Sequence, residues 1–284
     1  MLRRFLSLKE MDESTSLYHY TKCQSAQAIL NGHSFYATNT QFLNDVNEMQ
    51  YILSVVDEII MEMDKPMWSG ILKHLIMENI EEFHKYEYYL ISFSTKPDSL
   101  TLWAEFGDKT GYNLEFNGME LRNLIKADED IFCDGYVIYN RDHQKRILEQ
   151  LIMEKIPQEL RRSLGSVIEA MRVGINEPFN EYKFNLQKAL ALYALFFKQP
   201  EYGSEKEYRF VFRDPEKTVH FREQNGFLLP YIVLNCPVDE RLPVRSVTVA
   251  PKNHTDLARR GMGYYLRSLG YEVPVKLSSL KLRY

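Results

Sequence analysis

The sequence predicts an α+β protein, and three observations carry that expectation. Strand-like and helix-like patterns are mixed without the regular alternation of a doubly wound parallel sheet. A stretch from about Arg141 to Lys198 is almost wholly helical in pattern and separates two strand-rich halves. A chain of 284 residues with 45% hydrophobic and 13% aromatic side chains can bury a large core, far from a disordered composition. The expected organisation is one α+β domain over residues 1–284 with a helical insertion at 141–198.

The first element is a strand at Leu17-Tyr18-His19-Tyr20-Thr21. On an extended backbone His19 and Thr21, two residues apart, point the same way. A short helix follows through Ala26 to Leu30 and stops at Asn31-Gly32, before a second strand at Ser34 to Thr38. Asp45 with Glu48 resembles a capping box opening an amphipathic helix, whose apolar positions run from Met49 to Met63 and which ends near Pro66. A further helix is expected over 69–84. Tyr88 to Ser94 then reads as a central strand, because its start is nearly continuously apolar. Leu102 to Asp108 reads as one helical turn, and strands follow at Tyr112 to Phe116 and Gly135 to Tyr139. After the helical stretch come strands at 208–213, 218–222, 227–234 and 244–249, a helix over 255–269 and a last strand at 272–277. No internal repeat or low-complexity segment is found.

Composition restricts the function classes only loosely. A formal net charge of -4 and a pI near 6.0 give no general attraction to nucleic acid or to an anionic membrane, though a local basic groove remains compatible. Cys23, Cys133 and Cys236 share no metal-ligand spacing, and the odd count points to a reducing compartment. The start of the chain reaches Lys9-Glu10 too soon for the apolar region of a signal peptide, and no apolar run approaches the ~20 residues of a membrane span. The expectation is a cytoplasmic protein. The histidines show no H-E-x-x-H or paired Cys/His spacing, so no metal site is expected, and there is no phosphate-binding P-loop.

Three pairs of polar residues at i and i+2 are the candidates for chemistry: His19 with Thr21, Ser92 with Ser94, and Glu205 with Glu207. Strands that brought these faces together would line a polar cleft. Each pair also has a plain structural reading. A lone buried histidine can satisfy a backbone carbonyl, serines cap turns and strand ends, and the glutamates can pair with Lys206 or Arg209 on a solvated edge. Asn44 and Asp45 read as capping residues, and Trp103 as core or as a cleft wall. Arg141, Lys145, Arg146, Arg161, Arg162 and Arg172, interleaved with glutamates, read as a solvated helix face. Leu186, Leu190, Tyr193, Ala194 and Phe197 read as core or a partner surface.

The order of motifs from Leu17-Tyr18-His19-Tyr20-Thr21 through Phe42-Leu43-Asn44-Asp45 with Glu48, Ile91-Ser92-Phe93-Ser94, Leu102-Trp103 with Phe106-Gly107-Asp108, to Glu205-Lys206-Glu207-Tyr208-Arg209 resembles the bacterial family called domain of unknown function 2971. Its opening is also similar to the first motif of DarT-like ADP-ribosyltransferases, a His-x-Thr strand followed by a helix and a second strand. That resemblance implies a split, mixed β-sheet of the ADP-ribosyltransferase type and NAD as a substrate, with no metal. It makes Glu207 the catalytic carboxylate, and Glu205 similar to the Glu-x-Glu of arginine-directed members. His19 would hold the nucleotide's ribose with support from Thr21, Ser92 and Ser94 would brace the nucleotide and the carboxylate, and Tyr36 or Tyr112 would supply a stacking ring. Arg209 would keep Glu207 ionised or bind a phosphate. The chemistry is coherent, since a carboxylate can stabilise the positive charge that builds on ribose as nicotinamide leaves.

The implied function is a toxin-like effector that transfers ADP-ribose to a macromolecular target, protein or nucleic acid, in a bacterial antiphage or abortive-infection system. NAD hydrolysis is the variant with water as acceptor, and an inhibitory partner protein or RNA would silence the toxicity. Two other classes stay open: a non-enzymatic module that binds nucleotide or nucleic acid, and a metal-independent nuclease with His19 as base and Glu207 as acid.

Overall fold

A computed structural model describes residues 2–43, 48–62, 70, 87–107, 110–224, 226–236, 241–252 and 256–280. In chain order the principal elements are β1 (Ser16–Thr21), α1 (Cys23–Gly32), β2 (Ser34–Asn39), α2 (Tyr51–Glu62), β3 (Tyr88–Ser94), α3 (Leu100–Glu105), β4 (Tyr112–Asn117), α4 (Gly118–Asp128), β5 (Cys133–Tyr136), α5 (Arg141–Gln150), α6 (Ile156–Glu159), α7 (Leu164–Arg172), α8 (Glu177–Ala194), β6 (Glu207–Arg213), β7 (His220–Gln224), β8 (Phe227–Asn235), β9 (Val244–Val249), α9 (Asp256–Ser268) and β10 (Val275–Leu277). They fall into two compact units. One comprises Met1–Leu8, Thr40–Glu87 and Val137–Gly203, the other Lys9–Asn39, Tyr88–Tyr136 and Ser204–Tyr284.

The second unit is built on a ten-stranded mixed sheet of order β10-β9-β4-β1-β3-β2-β8-β7, with β6 joining β3 to β5. Among the described strands, only β9 with β10 is parallel. β3 is the hub. Along one edge it pairs with β6 over its whole length, from Tyr88↔Arg213 to Ser94↔Glu207. On the other edge two strands compete for it. β1 meets it at Tyr18↔Ser94, and β2 meets it at Thr38↔Leu90 and Asn39↔Tyr89. Both would next reach the same residue, Ser92, so neither continues. β1 turns away with β4 and β2 with β8, and the sheet forks at Ile91–Phe93.

Strand alternation then sorts the side chains. One face carries Leu17, Phe35, Ala37, Ile91, Phe93, Leu114, Phe116, Tyr208, Phe210, Ile232, Leu234, Val247 and Val249, all buried in one cluster with residues of α1, α4 and α9. Burial of each large apolar side chain there contributes about 1.5–3 kcal/mol. On the opposite face α3 seats Leu102 and the fully buried Trp103 against Tyr20 and Ala250. Trp103 is therefore core, its ring 4.8 Å from that of Tyr20 and its Nε1 donating to Asp98 at 2.7 Å. Gly111 immediately precedes β4 where a Cβ would come within 2.0 Å of the Thr21 carbonyl oxygen, so only glycine fits.

The first unit is helical. Its core joins Phe5, residues of α2 such as Ile52 and Val56, Leu148, Leu151, Ile156 and Val167, and the α8 stripe Leu186, Leu190, Tyr193 and Ala194 with Phe197. The apolar residues of α8 thus serve a core. Two buried polar groups bridge its elements: the Tyr193 hydroxyl donates to the Phe5 carbonyl at 2.9 Å and accepts from Ser7 N at 3.0 Å. The Gln144 amide donates to the Ile138 and Lys198 carbonyls at 2.6 and 2.9 Å. Arg141 and Lys145 bind Glu58 and Glu62 of α2, an anchoring role in place of a purely solvated one. The unit is wider than the expected 141–198 insertion, because it also takes in the start of the chain and the 40–87 segment. Asn44, Asp45 and, Gly70 apart, the helix expected over 69–84 lie outside the described residues, whereas Glu48 is buried in a short 3-10 turn.

Candidate functional site

The fork places the predicted residues in two sets on opposite faces of the sheet. Because Tyr18 stands directly across from Ser94, residues 18, 92 and 94 share one face with Arg209 and Glu207, which lie directly opposite Ser92 and Ser94 on β6. His19 and Thr21 point to the other face. Ser92, Ser94, Glu207 and Arg209 are therefore brought together, and His19 and Thr21 are not brought to them.

His19 lies among the core aromatics, its ring centroid 5.5 Å from Phe93 and 6.0 Å from Phe35. Burial lowers its pKa to about 4, so the imidazole is neutral at pH 7, and it hydrogen-bonds the Ser92 main chain. The reason is topological. Where β1 and β2 part, Ser92 has no ladder partner on that edge, and an unpaired buried carbonyl is costly. The imidazole N–H supplies the missing donor. His19 thus has the structural role of a carbonyl-satisfying histidine rather than that of a ribose ligand beside Glu207. Thr21, 7% exposed at the end of β1, faces the same interior.

On the polar face, Arg209 Nε donates to Glu207 Oε2 at 2.9 Å and its NH2 group to Oε1 at 3.1 Å. Both residues are buried, at 2% and 6% exposure. A bidentate guanidinium compensates the carboxylate where water is scarce. Ser94 is committed to closing the end of the β3–β6 pair: its hydroxyl donates to the Glu205 carbonyl at 2.6 Å and accepts from Lys96 N at 3.0 Å. Ser92 is partly exposed, across from Arg209. Glu205 does not share a strand face with Glu207. β6 begins only at Glu207, and Lys206 between them adopts φ 47°, which breaks the alternation.

Tyr36 lies on the same face as Ser92, on β2 just beyond the fork, and is 44% exposed. Tyr112, the alternative ring, is buried in the apolar cluster. Sequence reasoning missed two features of this face. Glu115 accepts from Ser16 at 3.0 Å, from Tyr18 at 3.3 Å and from Ser246, with Lys276 at 3.4 Å. Burial pushes the Glu115 carboxyl up, but the hydrogen bonds from Ser246 and Ser16 and the charge of Lys276 outweigh it and hold the group below its ordinary value. The second is the aromatic row at Tyr36, Tyr231 and His220. The spacings Ser16-x-Tyr18 and His220-x-Arg222 were its only visible traces, since the partners come from distant strands.

Residues 102–210 match the family described as a protein of unknown function, DUF2971. The DUF2971 match takes in Glu205, Glu207 and Arg209 and stops short of His19, Thr21, Tyr36, Ser92 and Ser94. No curated protein and no solved structure matches the chain. Among the described residues no group of three or more His, Cys, Asp or Glu side chains could hold a metal ion, and no helix is long and apolar enough to cross a membrane.

Proposed function

We propose that the chain is an ADP-ribosyltransferase-like effector that takes NAD at the forked sheet, with Glu207 as the carboxylate that stabilises the developing ribose cation. The supporting observation is the side-by-side order β1-β3-β6 at the fork, which sets Glu207 and Arg209 across from Ser94 and Ser92 on one polar face. In this reading the bond between ribose and nicotinamide breaks with its electron pair leaving on the nicotinamide, and the acceptor bonds to the ribose carbon and releases its proton. Arg209 holds Glu207 ionised and oriented, and Ser92 offers a hydroxyl beside them. His19 keeps the fork in shape from behind. Antiphage defence as the setting, a cytoplasmic site of action and a silencing partner belong to the same proposal.

A non-enzymatic nucleotide-binding module is the second reading. It is favoured by the fact that both Glu207 oxygens are engaged by Arg209. Purified protein and its Glu207→Gln variant, incubated with labelled NAD and a bacterial lysate, separate the two. Label transfer or nicotinamide release that disappears in the variant supports the transferase. A thermal shift with NAD but no turnover supports the module, and neither response rejects both.

A further inference from the structure

We propose that the open face of β2, β8 and β7 is a stacking platform for the bases of a single-stranded nucleic acid. Tyr36 and Tyr231 are diagonal neighbours, because Tyr36 pairs with Val233 and Thr38 with Tyr231, and their ring centroids are 4.3 Å apart at 33°. His220 stands directly across from Tyr231 with its ring 5.7 Å away at 30°. Three rings thus form a row of shallow tilt, with Tyr36 and His220 exposed at its two ends. Arg222 lies on the same face, 5.7 Å from the Tyr231 ring centroid, with its NH2 group 3.4 Å from the Thr38 hydroxyl and its Nε buried without a partner.

Charge chooses the occupant. Alternation leaves Ser34, Tyr36, Thr38, Leu229, Tyr231, Val233, His220, Arg222 and Gln224 on this face, and Glu223 on the other. No carboxylate of these three strands opposes an incoming anion, in a chain whose overall charge is negative. Rings that offer π-faces beside an arginine, on three strands that carry no acid on this face, fit bases that stack and a phosphate that pairs with the guanidinium. A proline-rich peptide would use the rings and leave Arg222 without an anion. The platform does not rest on NAD chemistry, because none of its side chains belongs to the Glu207 cluster.

The test is fluorescence polarisation of the full chain, without NAD, against labelled single strands of about 12 nucleotides, as RNA and as DNA, and against the matching duplex. Single-strand binding at least about tenfold tighter than duplex is expected, with Tyr36→Ala weakening it by about tenfold. Arg222→Gln should weaken it and lower the slope of log affinity against log salt by about one. The assay contains no NAD, which keeps failure of the platform distinct from failure of the NAD reading. The preferred sugar is read from the RNA and DNA arms. Absence of binding, equal affinity for duplex, an equally tight mononucleotide, capture of a polyproline peptide instead, or indifference to both Tyr36→Ala and Arg222→Gln overturns the proposal.

Discussion

The two faces of β3 solve opposite problems within a single strand. Toward the core, Ile91 and Phe93 are packed by aromatic neighbours, and His19 among them is kept neutral and given one main-chain carbonyl to satisfy. Toward the polar face, Ser92 and Ser94 look across at a buried ionised pair whose charges are compensated by each other. Beside Phe93 the histidine is tolerated by staying neutral, and beside Ser94 the carboxylate by finding an opposite charge.

Removing one member of the ion pair is the most damaging way to test that difference. Arg209→Met leaves Glu207 buried and uncompensated and should destabilise the fold by about 3–5 kcal/mol in urea titration. The double variant Glu207→Gln/Arg209→Met should recover most of that loss. A single variant as stable as the wild type would mean that water reaches the pair.

The histidine side is broken by acid. Since the folded pKa of His19 lies below the unfolded value, the imidazole costs nothing above about pH 6.5. As pH falls from there toward 4, the unfolded chain takes up a proton that the folded chain refuses, and stability drops. His19→Gln keeps a donor for the Ser92 carbonyl and removes the titration, so the difference in stability between wild type and variant should change by about 2 kcal/mol across that window. A difference independent of pH would place the imidazole in water.

Smaller effects refine the polar face. Ser94→Ala loses one buried and one part-buried hydrogen bond and should cost about 1–2 kcal/mol in thermal melts. Ser92→Ala, at a partly exposed site, should move stability by no more than about 0.5 kcal/mol while lowering any NAD turnover. A reversed ranking of the two serines would reverse the roles given to them.

Local pattern was legible, and phase between strands was not. Tyr88 to Ser94 announced itself by its apolar run, and each i, i+2 pair on β1 and β3 does share a face. Whether His19 faces the side of Ser92 or the side of Phe93 depends on the single bridge Tyr18↔Ser94, set by contacts between segments far apart in sequence. Glu205 and Glu207 failed as a pair for a different reason: Lys206 takes a left-handed backbone that a lysine does not advertise. α4 was missed although its signal was present, with Asn117 capping the Glu120 N–H ahead of Leu121 and Ile125. Tyr36 and Tyr231 became neighbours only through the β2–β8 register, which neither strand's own pattern encodes.

The three-partner arrangement of β3 also bears on how the chain comes off the ribosome. β1 and β2 are made before β3 and can hold only the two ends of one edge, while the whole of the other edge waits for β6, on the far side of the helical segment. Throughout that interval Tyr88-Tyr89-Leu90-Ile91-Ser92-Phe93-Ser94, with neither charge nor proline, presents unpaired backbone. Synthesis that stalls before Glu207 leaves a sticky nascent chain, and speed of translation through 137–206 becomes part of this protein's solubility.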